Sequence, residues 1–224
     1  MWPRPRDPED KSTPAVGHPQ EYARDMDVQR RTRLGPDERR AQLIALGVAF
    51  LAERPLDELT IEELAVQAAV SRALVFHYFG TRQGLHLAVV TRAGLALLEA
   101  SEPLPNLPPH ERLRDTLARI VGFVRMHRGT FYSLMRGVAS GDAVVRRVVD
   151  EVRVANAERL RSVFVEDGAA DSHLLRVTLR AWVSFAEEVL IELALDSDRD
   201  VEEIVGFLER SVVGVVAAVE ATGR

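Results

Sequence analysis

From Pro36 onward the apolar positions recur with a helical period almost throughout. In GPDERRAQLIALGVAFLAER, Leu43, Leu46, Gly47 and Phe50 stand at i, i+3, i+4 and i+7, the single apolar face of a first helix. Pro36 suits its start and Pro55 follows its end. TIEELAVQAA opens with Thr60 and carries Glu63 three residues later. That is a capping box, in which hydroxyl and carboxylate satisfy the first free N–H groups of a second helix. Ser71 is a good N-cap for a short third helix, and Thr81 can cap a fourth through LHLAVVTRAGLALLEA. The four prolines of SEPLPNLPP (Pro103, Pro105, Pro108 and Pro109) then break the pattern and make the best boundary. About five more helices are predicted beyond it, near 109–127, 129–138, 142–165, 171–195 and 198–221. No run alternates with period two and no internal repeat is visible, so an all-α fold without sheet is expected.

Residues 1–33 break from this pattern. They are rich in proline and charge with few apolar positions, and are expected to form a disordered tail. The tail ends in QRRTR, with Arg30, Arg31 and Arg33 beside the first helix. It is either a solvated linker or an arm reaching toward a phosphate backbone or a minor groove.

Composition narrows the class. A chain of 224 residues that is 46% hydrophobic can bury a core in one or two domains. It has no cysteine, hence no disulfide and no thiolate metal site. The N-terminal stretch lacks the apolar centre of a signal peptide, and no uninterrupted apolar run reaches the length of a membrane span. A cytoplasmic location and no membrane partner are therefore expected. The net charge of −5 does not suggest a nucleic-acid binder, but a basic patch can occupy one face of an acidic protein. Arginine supplies nearly all the positive charge, and Lys11 is the only lysine.

The candidate chemistry lies in VSRALVFHYFGTRQGL, residues 70–85. The second helix, the tight turn at Ala68–Val70 and the third helix make a helix-turn-helix, with Ala65, Val70 and Val75 placed to hold the pair together. In such a unit the second of the two helices enters the major groove. Val75 and Phe79 would form its apolar back, while Arg72, Ala73 and His77 project forward. Ser71 offers a hydroxyl and a backbone N–H to a phosphate. Arg82 opens the next helix, where its charge opposes the helix dipole unless an anion is held there.

These residues also carry a resemblance. Residues 59–90 resemble the DNA-binding domain of the TetR family of transcriptional regulators, whose pattern is matched by Thr60, Leu64, Ala65, Ala68, Val70, Ser71, Val75, Tyr78 and Phe79. The departures are specific. The family's turn glycine is Ala69, which costs roughly 1 kcal/mol if that position is left-handed. The glycine inside the recognition helix is Ala73, whose methyl could meet a thymine methyl. The usual tyrosine is Phe76, which loses a phosphate-bonding hydroxyl that Tyr78 retains on its own ring, and the usual lysine is Arg82. The resemblance implies a DNA-binding domain over 34–83, with Thr60, Ser71, Arg72, Ala73, Phe76, His77, Tyr78 and Arg82 as its DNA-binding residues. It implies a ligand-binding and dimerisation domain over 84–224, and a homodimeric repressor of a palindromic double-stranded operator, released by a small apolar effector. The alternative is a small-molecule-binding helical dimer that has lost specific DNA binding through Ala69, Ala73 and Phe76.

In the C-terminal half the last helix turns apolar almost all round after Ser211, which calls for burial on more than one side. Gly206 and Gly214 would permit close helix approach, and the resemblance makes the last two helices the dimer interface. Phe123, Met126, His127, Phe131, Tyr132, Met135, Phe164, Trp182 and Phe185 are the large or adaptable groups from which an effector pocket could be lined. Glu187 and Glu188 interrupt an apolar run; either one faces inward toward a cation or hydroxyl, or both lie at a solvated or interface edge. No phosphate-cradling glycine loop and no nucleophile elbow is present. The six histidines lack ligand spacing. No enzyme activity, cofactor or metal is expected.

Overall fold

A computed structural model describes residues 34–139 and 143–222; for 136–139 only the backbone is described. The expected N-terminal tail and its Arg30, Arg31 and Arg33 arm lie outside the described residues. Nine helices and two short irregular turns follow one another with no strand among the described residues. α1 spans Pro36–Leu51 and buries Leu43, Ile44, Gly47, Phe50 and Leu51; Leu46, on the same expected face, is half-buried. Asp37 and Glu38 fill its first turn, where negative charge suits the exposed N–H groups. A single 3₁₀ turn, Leu56–Glu58, leads into α2, Ile61–Gln67. Thr60 caps α2 by accepting from the Glu63 N–H at 3.0 Å. Only half of the expected capping box forms, because the Glu63 carboxylate instead accepts from Arg54 at 2.7 Å and from Gln67 at 3.5 Å.

α3 spans Arg72–Phe79 and α4 Arg82–Ala100, capped by Ser71 and Thr81. Between them Gly80 takes φ 68°, the left-handed stop that glycine adopts without steric cost, so one helix ends and the next begins within two residues. Past the proline-rich break come α5 (Pro109–Met126), α6 (Arg128–Ala139), α7 (Ala143–Glu166) and α8 (His173–Val189). One long helix was expected over 171–195. Instead α8 gives way to a π-helical segment, Leu190–Leu195, in which the Asp196 N–H reaches back five residues to the Ile191 carbonyl at 3.2 Å. α9, Val201–Thr222, closes the described chain. No described helix is long and apolar enough to cross a membrane.

Two apolar cores result. The first gathers α1 to α4 and takes in Leu134 of α6 and Val145, Val148 and Val149 of α7. The second gathers α5, α8, the π segment and α9 around Ala157, Leu160, Val163 and Phe164 of α7, with Phe131 of α6. α7 therefore gives its first two turns to one core and its later turns to the other. Met135 packs against both.

Candidate nucleic-acid interface and effector cavity

The helix-turn-helix is pinned at its turn by two backbone bonds. The Val70 N–H donates to the Ala65 carbonyl at 3.0 Å, and the Ala69 N–H to the Val66 carbonyl at 3.1 Å. Ala69 holds φ 51°, the one non-glycine left-handed residue among those described. An L-residue adopts that conformation at a steric cost, so the turn is kept without the glycine that suits it best.

α3 has two faces. Val75 and Phe79 are buried behind it, and the Arg40 guanidinium lies 5.7 Å from the Phe79 ring centre. Ser71, Arg72, Ala73, Phe76 and His77 are exposed, Phe76 to 59%. The Ser71 hydroxyl accepts from the Leu74 N–H at 3.2 Å, so it caps the helix. Arg72 forms an ion pair with Glu62 of α2. The His77 and Tyr78 rings meet edge to face with centroids 5.5 Å apart, and Tyr78 is half-buried against the first core. Arg82 is exposed and donates to the Asp57 carbonyl at the 3₁₀ turn. Thr60 is half-buried with its hydroxyl committed to the cap. Six of the eight residues expected to touch DNA are thus solvent-exposed on or beside α3, and Thr60 and Tyr78 are partly withdrawn.

The second site is a cavity of about 110 Å³ at the seam of the two cores. Val90, Ala93, Leu134, Val148 and Val149 of the first core line it, as do Leu113, Leu117, Leu160, Trp182, Val183 and Leu208 of the second. Of the nine positions expected as lining, Phe123, His127, Phe131, Met135 and Trp182 face it. The other four do not. Met126 is 81% exposed at the end of α5. Tyr132 points outward toward a shallow cleft beside Arg54 and Arg128. Phe164 is buried in the second core, one residue from the Val163 that does reach the cavity. Phe185 is exposed and sits 6.1 Å from the Phe207 ring. Each lies off the inward helical row.

Four polar lining residues were missed: Thr116, Thr130, Asn156 and Arg159. A signal for Asn156 existed, since it interrupts the row Val149, Val152, Asn156, Leu160 and Val163 along α7. Glu187 does face inward, whereas Glu188 is exposed. The Glu187 carboxylate takes Arg153 on both oxygens at 2.6–3.1 Å. Burial holds the Glu187 carboxyl above the usual carboxylate range, with Arg153 partly opposing the shift. Trp182 donates its indole N–H to the Ser211 hydroxyl at 2.9 Å, tying α8 to α9. Among the described residues no cluster of three potential metal-binding side chains occurs.

Known proteins share both halves. The family described as bacterial regulatory proteins, tetR family, matches residues 43–89, and the tetracyclin repressor-like C-terminal domain matches residues 109–215. A tetR-family transcriptional regulator from Streptomyces coelicolor is 30% identical and superposes with a TM-score of 0.73 over 85% of each chain. A TetR-like regulator from Rhodococcus sp. RHA1 is 26% identical, with a TM-score of 0.65 over 83% of this chain and 99% of its own. FadR of Thermus thermophilus, a TetR-family repressor in complex with lauroyl-CoA, shares the fold at 18% identity, with a TM-score of 0.59 over 78% of this chain and 93% of its own. No curated protein sequence matches significantly. With both domain families matched and a regulator of this kind aligned over most of its length, the chain belongs to the TetR family of transcriptional regulators.

Proposed function

We propose that this chain is a repressor that binds a palindromic operator as a homodimer and is released by a small, largely apolar effector. Residues 34–83 serve as the DNA-binding domain and 84–224 as the effector and dimerisation domain. Ser71, Arg72, Ala73, Phe76 and His77 face the groove, and Arg82 faces the flanking phosphate. The observation that carries the effector reading is the place of α6. Its inner side lines the cavity with Thr130, Phe131, Leu134 and Met135. At its start Gly129 abuts the Ala52 carbonyl just past α1, and Ser133 donates to the Leu51 carbonyl at 3.1 Å. A molecule filling the cavity therefore bears on the same helix that braces the DNA-binding head. Such a molecule shifts operator affinity only if it binds the two states unequally.

The dimer reading rests on an apolar face left open on α8 and α9. Leu174, Val177, Ala181 and Phe185 are exposed at helical spacing on α8, and Phe207, Gly214 and Ala218 on α9. The expectation that α9 is covered on more than one side is thus unmet within one protomer, and a second copy would meet it.

Selection of bound duplexes from a random library by the purified protein tests the reading. It should recover a palindrome with half-sites about one helical turn, ~34 Å, apart. No enrichment even at low salt would favour the helical dimer that has lost specific DNA binding.

A further inference from the structure

Among the described residues, Arg159 on α7 is the only arginine that lines the cavity, and it has no carboxylate partner. This sets it apart from its neighbours. Arg112 pairs with Glu166, Arg153 with Glu187 and Arg161 with Asp171 and Glu158. A single nitrogen of Arg159, Nη1, makes both of its hydrogen bonds, to the Leu98 carbonyl at 2.9 Å and the Ser101 hydroxyl at 2.8 Å. Those bonds cap the end of α4 and account for one arm of the guanidinium. Its Nε and Nη2 arms have no partner among the described residues, although a guanidinium carries five N–H donors in a fixed fork. Burial is the largest influence on the group and lowers its pKa, Arg119 adds to the lowering, and only Glu102 opposes it. The half-buried guanidinium forms no direct ion pair among the described residues, and an anion at its free arms would supply one.

A second unsatisfied group lines the same cavity. Thr116 of α5 lines the cavity, and its hydroxyl oxygen is buried without a hydrogen-bond partner. Asn156, one turn before Arg159, lines the cavity too. The remaining walls are mostly aliphatic and aromatic, and the one acidic liner, Glu187, is already neutralised by Arg153. The cavity therefore has a mostly apolar lining with one cationic group that keeps free hydrogen-bond donors. Its volume of about 110 Å³, below the roughly 150 Å³ of an apolar cavity that holds benzene, suits a short apolar group.

We infer that the effector is a small apolar monocarboxylate whose head group is held by the free arms of Arg159, with Thr116 and Asn156 beside it. This deepens the proposed function and rests on it, because it names the chemical class that fills the same cavity. A planar fork engages a carboxylate on both oxygens, which a neutral hydroxyl cannot reproduce.

The test is isothermal titration of the full chain with straight-chain and phenyl-substituted carboxylates of graded length, each beside the primary alcohol of the same skeleton. Carboxylates should bind at least about tenfold tighter than their alcohols, and Arg159→Gln should abolish that ratio. If Arg159 serves only to cap α4, Arg159→Gln lowers thermal stability and weakens both series alike, leaving the ratio unchanged; that overturns the inference. Should the variant fail to fold, Arg159→Lys keeps the charge and loses the fork, and should narrow the ratio; an unaltered ratio in that variant would overturn the inference. Alcohols that bind as well as acids and release operator would overturn the head-group assignment and leave the effector-released repressor standing. Binding by neither series would overturn the carboxylate inference alone, since the repressor reading stands or falls on the duplex selection.

Discussion

Ala69 places a methyl group where the backbone turns left-handed, at the pivot between α2 and α3. Ala69→Gly removes that conflict and is expected to stabilise the fold by roughly 1 kcal/mol, raising Tm by about 2–4 °C for a chain of this length. Thermal unfolding followed by circular dichroism checks it; an unchanged or lower Tm would show that the turn carries no strain. Arg72 and Arg82 divide along another line. Arg72 is exposed on α3 and would have to leave Glu62 to meet a base edge, whereas Arg82 is fastened to the carbonyl of Asp57 at the 3₁₀ turn. Arg72→Ala should relax base preference at one operator position. Arg82→Ala should weaken all duplexes alike and flatten the salt dependence by about one unit. Operator titrations over a salt series separate the two roles, and an equal loss of preference in both variants would refute the division.

α6 lines the cavity on one side and meets the end of α1 on the other. Gly129 sits so close to the Ala52 carbonyl that a Cβ there collides with backbone. Gly129→Ala must push α6 away from the end of α1, at a cost of roughly 1–3 kcal/mol in stability, and should weaken operator binding in the absence of any effector. Urea unfolding and an operator titration measure the two effects; unaltered operator affinity would mean that this contact transmits nothing. Little of this could be read from the chain. The capping residues Thr60, Ser71 and Thr81 and the stripe through Leu43, Gly47 and Phe50 were legible because they act within one helix. The cavity was half legible, since which aromatic faces inward depends on how α5, α6, α7 and α8 are rotated against one another. Phe185 and Tyr132 belong to apolar helices yet point outward. Arg159 was missed because one of five arginines in a charged helix looks like any solvated one until its neighbours are known. The π segment has no local marker, because LIELAL continues the apolar periodicity of α8.

At the scale of the molecule, the open face of α8 and α9 calls for a second protomer. Phe207→Asp places a charge on that face, beside Phe185, and should halve the mass seen by sedimentation while leaving the helix content intact. Operator affinity should fall with it, because one head binds one half-site. A dimer that survived the change would move the interface elsewhere. The division of α7 between two cores has a practical consequence for anyone building sensors by exchanging heads between regulators. A cut at the proline-rich segment looks natural on the sequence, yet it would strip Val145, Val148 and Val149 of the α4 side chains they pack against. A graft that keeps this effector domain must bring a head whose fourth helix presents the same relief as Leu85, Val89, Val90 and Ala93, or carry α4 along with the cavity. The exchangeable part is therefore bounded by a packing surface, and no single linker position defines it.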